Sequence, residues 1–196
     1  MNYLAHAYLS FDDPDLLVGN MTSDFIKGKR KYEYPDAILF GIDLHRAIDD
    51  FTDNHTSTKT AKQVFQADYG LYSGAFLDIV YDYFLANDPS RFAAGRLEKF
   101  SREVYHTLDS KYELLPPKFQ AMFPYMKKQN WLLNYRQHSG IERSFEGLVH
   151  RAAYMSDSTR AFELFLKYEA ILEDAFKRFF PELEAYTLEL ISKKPL

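Results

Sequence analysis

Two carboxylates in an otherwise apolar segment are the first sign of chemistry in this chain. The segment from Ala75 to Ala86 reads AFLDIVYDYFLA, and its charged side chains are Asp78 and Asp82. Spaced four residues apart, the two carboxylates share one face of a helix and repel each other. Because an unpaired buried carboxylate is costly, a cation must approach from elsewhere in the fold. That cation is either a basic side chain or a metal ion.

A second set of polar residues lies in the segment GIDLHRAIDDFTDNH, from Gly41 to His55. His45 and Asp49 are four residues apart, which places both on one helical face near the boundary of the core. Arg46 beside them could grip a phosphate through its forked donors. An equally good reading is structural, with Arg46 in intrahelical ion pairs and His45 as a semi-buried, hydrogen-bonded histidine.

Further candidates precede this segment. Asn20 and Asp24, in VGNMTSDFIKGK, are also four residues apart, so Asp24 is a candidate metal ligand or base. Taken alone, Asp24 is read more simply as a solvent-facing carboxylate paired with Lys27 or Lys29. His6 is flanked by apolar residues in NYLAHAY, where a lone histidine is usually a hydrogen-bonded core residue.

Together these residues predict a metal site. The candidate ligands all lie in the first 87 residues, in helices that read as largely buried: His6, Asp24, His45, Asp49, Asp78 and Asp82. Converging helices can present such side chains to one ion. Since the chain has no Cys, the ligands must be histidine nitrogen and carboxylate oxygen, which suit Mn²⁺, Fe²⁺ or Mg²⁺ better than structural zinc. Arg151 could also reach the site, although spacing alone does not place it there.

The elements that must position these residues are helices. Apolar residues recur at helical spacing along nearly the whole chain, without sustained two-residue alternation, so we predict an all-α fold. We expect one domain over residues 1–196, with the metal site built mainly from residues 1–87. The prolines fall between periodic segments, where they can start or end helices. The predicted helices cover residues 2–10, 14–27, 37–54, 57–68, 72–87, 90–110, 117–137, 140–155, 159–179 and 182–193.

Composition narrows the class of function. The net charge of -4 disfavours general nucleic-acid binding, because the phosphate backbone needs a cationic surface. The chain starts without a basic leader, and no apolar run approaches the ~18 residues of a membrane span, so we expect a soluble cytoplasmic protein without a membrane partner. Locally, four basic residues occupy five positions and could attract an acidic partner. This basic patch consists of Lys27, Lys29, Arg30 and Lys31.

Four ordered blocks resemble the acyl carrier protein phosphodiesterases, which are distant relatives of HD-domain metal phosphohydrolases. The blocks are MNYLAHAYLS, GNMTSDFIKG, GIDLHRAIDDFTDNH and YDYFLA, and weaker similarity continues over nearly the whole chain. The resemblance implies an all-α fold, a divalent metal such as Mn²⁺, and hydrolysis of the phosphodiester that joins 4′-phosphopantetheine to a carrier-protein serine. It carries over the family's functional positions to His6, Asp24, His45, Arg46, Asp49, Thr52 and Asp53.

The implied mechanism gives each group a role. The metal would lower the pKa of a bound water, Asp24 would bind the metal or orient the water, and Arg46 would offset developing phosphate charge. Asn20 and the basic patch would contact the substrate, holo-acyl carrier protein, which is acidic.

Two alternatives stay open. The first is an HD-like hydrolase of a nucleotide or another small phosphoester, which would not need the basic patch. The second is a catalytically impaired protein that binds the carrier. The reason for this alternative is Tyr83, which follows Asp82. The resemblance implies a histidine at this position, as in the family's D-H-F-L.

Overall fold

The computed structural model describes residues 1–152, 155 and 157–193, and all regular elements in that part of the chain are helical. The predicted all-α fold is therefore confirmed. Its α-helices are α1 (Tyr3–Tyr8), α2 (Pro14–Thr22), α3 (Asp36–Asn54), α4 (Thr56–Tyr69), α5 (Ser73–Ala86), α6 (Arg96–Ser110), α7 (Pro117–Lys128), α8 (Trp131–Asn134), α9 (His138–Arg151) and α10 (Thr159–Ser192). Short 3₁₀ turns cover Ser23–Phe25, Gly28–Glu33, Gly70–Tyr72 and Tyr112–Leu114. None of the described helices is both long and apolar enough to cross a membrane.

Local sequence explains where α2 begins. The Asp13 side chain accepts hydrogen bonds from the backbone N–H groups of Asp15 and Leu16, and Pro14 occupies the first turn. A carboxylate cap satisfies N–H groups that have no partner within the helix, and proline is pre-set for this position. The start of α2 matches the prediction from sequence for this reason.

Helices α2 and α3 lie unusually close together because glycine stands at their crossing. A Cβ atom on Gly19 would come within 2.2 Å of the Ile38 carbonyl oxygen, and one on Gly41 within 2.7 Å of the Leu16 carbonyl oxygen. Any larger residue would force the two backbones apart. This contact brings Asn20, which follows Gly19, against the helix that carries His45 and Asp49.

Helix α5 lies in the core and packs against α1, α4, α9 and α10. Phe76, Leu77 and Val80 are fully buried within it. The two aspartates of α5 therefore point from a buried helix into neighbouring elements, as the apolar sequence around them predicts.

The largest difference from the predicted helices is at Pro181. A proline inside a helix removes one hydrogen bond, and the sequence therefore predicts a break there. Helix α10 instead continues through Pro181, and its only non-helical backbone angles among the described residues are at Tyr168 (φ -113°, ψ 15°). Phe179, Phe180 and Leu183 are fully buried around the proline, so packing of this face offsets the lost hydrogen bond.

Other helix ends also differ from the predicted ones. Helix α6 begins at Arg96 rather than near residue 90, after Gly95 in the left-handed region (φ 78°). The predicted helix 117–137 is divided at Asn130, whose φ of 48° no helix can accommodate. Helix α9 ends at Arg151, and residues 153–154 of the predicted helix 140–155 lie outside the described residues.

Candidate metal centre

Helices α1 and α3 bring two histidines and one carboxylate together. The rings of His6 and His45 are stacked, with centroids 3.9 Å apart and planes inclined by 15°. Both side chains are buried, at 3% and 5% exposure. One potential ligand atom each from His6, His45 and Asp49 lies within 4.8 Å of the other two. These three residues are called the metal-site cluster below.

Asn20 of α2 holds both imidazole rings through their Nδ1 atoms. The Nδ1 atom of His45 lies 2.7 Å from the backbone carbonyl oxygen of Asn20, which can only accept. The Nδ1 atom of His6 lies 2.7 Å from Asn20 Oδ1. The side-chain NH₂ of Asn20 donates to the His6 carbonyl and to Ser10 Oγ, so Oδ1 is the atom that accepts from His6. We therefore assign the proton of each neutral ring to Nδ1, which leaves Nε2 free to bind a metal.

This arrangement corrects the predicted role of Asn20. The residue is fully buried and its side chain is occupied by the contacts to His6 and Ser10. Asn20 is thus placed to orient the histidines, as outer residues of metal sites commonly do, rather than to bind substrate directly.

Both Nε2 atoms face Asp49. The Nε2 atom of His6 lies 3.3 Å from Asp49 Oδ1, and that of His45 lies 3.1 Å from Asp49 Oδ2. Burial, with the neighbouring His45, lowers the pKa of His6 to about 4, so His6 is neutral at pH 7. Its Nε2 is buried without a hydrogen-bond partner among the described residues. A lone pair directed at a carboxylate oxygen is repulsive unless a cation lies between them, and a metal ion would satisfy both atoms.

His45 is in a different electrostatic position. Burial alone would lower its pKa, but its contacts with Asp24 and Asp49 outweigh burial and raise the pKa to about 9. The Nε2 atom lies 3.2 Å from Asp24 Oδ1. The hydrogen bond from His45 is the main reason that the pKa of Asp24 is lowered. Without a metal, His45 therefore holds a proton in the place where an ion would bind.

Asp24 stands where the site opens to solvent. Its side chain is 76% exposed. It lines a cavity of 310 Å³ together with His6, His45, Tyr3 and Arg151. A substrate phosphate could therefore approach the metal-site cluster from the side of Asp24.

The structure uses Asp82 differently from the prediction. This carboxylate is fully buried and accepts hydrogen bonds from the backbone N–H groups of Leu4 (2.7 Å) and Ala5 (3.0 Å). These groups belong to the first turn of α1, where N–H groups lack partners within the helix and favour a negative charge. Both oxygens of Asp82 thus hold α1, which carries His6, rather than facing the metal-site cluster. Burial raises the pKa of Asp82 to about 7.

Asp78 faces a cation, as predicted, but this cation is neither a basic side chain nor a metal ion. The α-ammonium group of Met1 lies 3.2 Å from Asp78 Oδ1 and 3.1 Å from Asp49 Oδ1. Burial would lower the pKa of this ammonium, but the two carboxylates outweigh it and raise the pKa to about 11. Burial raises the pKa of Asp78. For Asp49, burial is outweighed by the Met1 ammonium, His6 and His45, which hold its pKa well below the usual range.

Arg46 is turned away from the metal-site cluster. Its guanidinium donates to the Ile26 carbonyl (3.3 Å) and lies 3.8 Å from Asp43. The arginine that lines the site cavity is instead Arg151 at the end of α9. Arg151 is far from the other site residues in sequence, so spacing could not assign it. This geometry does not favour the predicted contact between Arg46 and a phosphate.

Similarity over the whole chain identifies the family. A sequence model of acyl carrier protein phosphodiesterases matches residues 1–183. The chain belongs to the acyl carrier protein phosphodiesterase family. It is 30% identical over 184 residues to the acyl carrier protein phosphodiesterase of Yersinia pestis, covering 93% of this chain and 95% of that protein. An Escherichia coli O139:H28 protein of the same name is 30% identical over 193 residues, covering 94% of this chain and 96% of the relative. No solved structure matches the chain.

Membership of the acyl carrier protein phosphodiesterase family confirms the resemblance found in the four sequence blocks. It also confirms the predicted class of enzyme, a phosphodiester hydrolase. The relation to HD-domain proteins, the identity of the metal and the roles of single residues stay predictions.

Tyr83, where the resemblance implies a histidine, does not contact the metal-site cluster. Its hydroxyl donates to Glu169 Oε1 at 2.9 Å and lies 2.9 Å from His138 Nε2. These partners belong to α10 and α9, and burial with Glu169 raises the pKa of Tyr83 to about 12. Tyr83 thus contacts a second cluster of polar side chains rather than the metal-site cluster.

Fewer residues of the basic patch are available to a partner than its sequence indicates. Lys31 lies 2.6 Å from Asp43, and Arg30 lies 3.9 Å from Glu33. Lys27 and Lys29 are exposed and have no ion pair with a described carboxylate. These two lysines lie just after Asp24 and are the part of the patch that is available to an acidic partner.

Proposed function

We propose that this protein is a metal-dependent phosphodiesterase that releases 4′-phosphopantetheine from holo-acyl carrier protein and leaves apo-acyl carrier protein. The main support for a metal requirement is the buried Nε2 atom of His6, which lies 3.3 Å from Asp49 Oδ1 and carries no proton in the tautomer assigned above. His6, His45 and Asp49 would hold the ion. Asp24, at the open side of the cavity, would be a further ligand or would orient the attacking water.

The donor set agrees with the predicted choice of metal. Two imidazole nitrogens with one or two carboxylates, and no thiolate, suit Mn²⁺, with Mg²⁺ and Fe²⁺ as alternatives. When bound, such an ion lowers the pKa of a coordinated water and polarises phosphoryl oxygens.

The protein side chains would organise the remaining chemistry. The water oxygen forms a bond to phosphorus, the bond between phosphorus and the serine oxygen breaks, and the serine oxygen takes up a proton. The Asp24 carboxylate is ionised and solvent-exposed, so it can orient this water and accept its proton. Arg151 lines the cavity without an ion pair to a described carboxylate, so its guanidinium would balance the phosphate charge in the role first predicted for Arg46.

The carrier protein is the favoured substrate because an acidic partner complements Lys27 and Lys29 beside Asp24. The relatives reported above are named acyl carrier protein phosphodiesterases. Hydrolysis of a nucleotide or small phosphoester is the second candidate, since Lys31 and Arg30 are already near carboxylates and the free patch is small. The impaired-enzyme alternative loses its motive, because Tyr83 contacts His138 and Glu169.

The direct test is to incubate the protein with Mn²⁺ and holo-carrier protein and to follow the carrier mass. We expect apo-carrier and free 4′-phosphopantetheine from the wild type, and none from a folded Asp24→Ala variant. Lys27→Glu with Lys29→Glu should raise KM for the carrier, while Lys118→Glu with Lys128→Glu, at exposed positions of α7, serves as the charge-matched control. Cleavage of free nucleotides in preference to holo-carrier would favour the second candidate. Absence of both turnover and Mn²⁺ affinity would refute the proposal.

A further inference from the structure

A second cavity adjoins the candidate metal centre. It measures 580 Å³, within the range of about 300–1,000 Å³ that is usual for small-molecule sites. Asn2, Tyr3 and Arg151 line both this cavity and the 310 Å³ cavity that holds His6, His45 and Asp24. The two cavities therefore meet at Tyr3 and Arg151, and a molecule with its phosphate at the metal centre could extend into the larger one.

The far part of this cavity, called the Trp131 groove here, combines an aromatic wall with separate donors and acceptors. The Trp131 ring lies 6.1 Å from that of Tyr3, and its indole N–H donates to Gln129 Oε1 at 2.8 Å, which fixes the ring. The side-chain NH₂ of Asn134 donates to the Gln129 carbonyl, so its Oδ1 is left as an acceptor. Arg143 contributes a guanidinium that has no ion pair with any described carboxylate.

Tyr135 also lines the groove, although the residue is only 3% exposed. A tyrosine hydroxyl can donate or accept a hydrogen bond, so a polar ligand in the groove can bind to it.

The groove matches the chemistry of the arm that the proposed reaction releases. Beyond its phosphate, 4′-phosphopantetheine carries a dimethyl-substituted carbon, a hydroxyl, two amides and a terminal thiol. An amide needs one acceptor for its N–H and one donor for its carbonyl, which Asn134 Oδ1 on one side and Tyr135 or Arg143 on the other provide. The Trp131 ring offers an apolar surface for the dimethyl group.

We propose that the Trp131 groove binds the pantetheine arm of the substrate, with Trp131, Asn134, Tyr135 and Arg143 as the residues that determine specificity for it. This inference rests on the proposed function. In such a complex, the phosphate lies at the junction of the two cavities, next to Tyr3 and Arg151. The arm then extends away from the carrier protein, whose docking side is that of Lys27 and Lys29. Phosphodiesters without the arm would forgo this contact.

Binding of pantetheine, which lacks the phosphate, tests the groove without requiring catalysis. Calorimetric titration of the metal-free protein should show saturable binding. Loss of one hydrogen bond in Tyr135→Phe should weaken it about fivefold, which corresponds to about 1 kcal/mol. Trp131→Ala should weaken binding at least tenfold. The matched controls are Tyr125→Phe and Arg102→Ala, which alter exposed side chains outside the groove and should bind pantetheine like the wild type.

Turnover gives the second readout. For holo-carrier, Tyr135→Phe and Arg143→Ala should lower kcat/KM by about the factor lost in pantetheine binding, while Mn²⁺ affinity stays unchanged. If the wild type binds pantetheine but leaves holo-carrier intact, the proposed function fails and the groove stands. If the wild type converts holo-carrier while the groove variants keep its kcat/KM and pantetheine does not bind, the groove is refuted and the proposed function stands.

Discussion

The protein contains two clusters of histidine and carboxylate side chains, and they differ in what the histidine nitrogens face. In the metal-site cluster, the rings of His6 and His45 are buried, and their Nδ1 atoms are held by Asn20. Their Nε2 atoms face the two oxygens of Asp49. The two Nε2 atoms, which Asn20 does not hold, thus face the same carboxylate.

The second cluster lies between α5, α9 and α10. His138 has a side chain that is 44% exposed, and its Nε2 lies 3.2 Å from Glu169. The Tyr83 hydroxyl lies 2.9 Å from His138 Nε2 and donates a hydrogen bond to Glu169 Oε1 at 2.9 Å. Here the polar atoms face one another at hydrogen-bonding distance and the histidine is partly exposed, so no cation is required.

Residue types alone therefore do not distinguish the proposed metal site from a structural polar cluster. What distinguishes them is orientation: in the metal-site cluster, two Nδ1 atoms are occupied and a buried Nε2 lacks a donor. Tyr83 contacts His138 and Glu169 and therefore belongs to the second cluster.

The largest effect is expected from Asp49→Ala compared with Glu169→Ala. Loss of Asp49 removes the carboxylate that both Nε2 atoms face, so Mn²⁺ affinity should fall by more than about a hundredfold, beyond the effect of outer residues. Turnover should fall with it. Glu169→Ala, which alters the second cluster, should leave Mn²⁺ affinity within about twofold. Equal effects of the two variants, measured by calorimetry on folded proteins, would contradict the distinction drawn between the clusters.

Asn20→Ala should have the next largest effect. Without Asn20 the side chain that holds His6 Nδ1 is lost, so Mn²⁺ affinity should decrease about 10- to 100-fold, as for other outer residues of metal sites. Asn87→Ala is the control, because Asn87 is exposed and bonds to the backbone of Tyr83 and Arg136 beside the second cluster. Unchanged affinity in Asn20→Ala would show that the rings keep their orientation without it.

Mn²⁺ affinity should also depend on pH. In the metal-free protein the pKa of His45 is about 9, whereas a ligating histidine must be neutral. Binding at pH 7 therefore releases a proton, and affinity should rise about tenfold per pH unit from pH 7 to pH 8.5. His6, with a pKa of about 4, contributes no further proton in this range. Calorimetry in buffers of different ionisation enthalpy counts the protons, and a value near zero would be inconsistent with ligation by His45.

The smallest effect on the site is expected from Gly19→Ala. A methyl group there meets the Ile38 carbonyl and forces α2 from α3, which should lower the free energy of unfolding by about 1–3 kcal/mol. Mn²⁺ affinity should fall only severalfold, because Asn20 moves with α2. Gly74→Ala is the control, since its methyl group would meet only the flexible end of Lys62. Thermal denaturation that shows both variants equally stable would argue against the close helix crossing.

The sequence predicts features that lie within a single helix. Helix α3 was predicted over 37–54 and runs over Asp36–Asn54, and the i, i+4 spacing correctly put His45 and Asp49 on one face. The stacking of His6 on His45 depends on the contact of α2 with α3 through Gly19 and Gly41, which spacing along one helix cannot reveal.

The aspartates of α5 show the same limit. Their need for opposite charge was visible in the sequence, but the partners were not. Asp82 is satisfied by backbone N–H groups of Leu4 and Ala5, and such groups carry no signal in residue type. Arg151 likewise reaches the site from α9 through the tertiary fold. Sequence thus indicated which groups could do chemistry, while tertiary contacts determined which of them meet.

The position of a bound metal ion tests most directly whether His6, His45 and Asp49 form a metal site. Crystals grown with Mn²⁺ should show, by anomalous diffraction at the manganese edge, one ion about 2.0–2.3 Å from His6 Nε2, His45 Nε2 and an oxygen of Asp49. The Asp82 carboxylate should remain on the N–H groups of Leu4 and Ala5. An ion bound at His138 and Glu169, or no ion at the metal-site cluster at saturating Mn²⁺, would contradict the central claim.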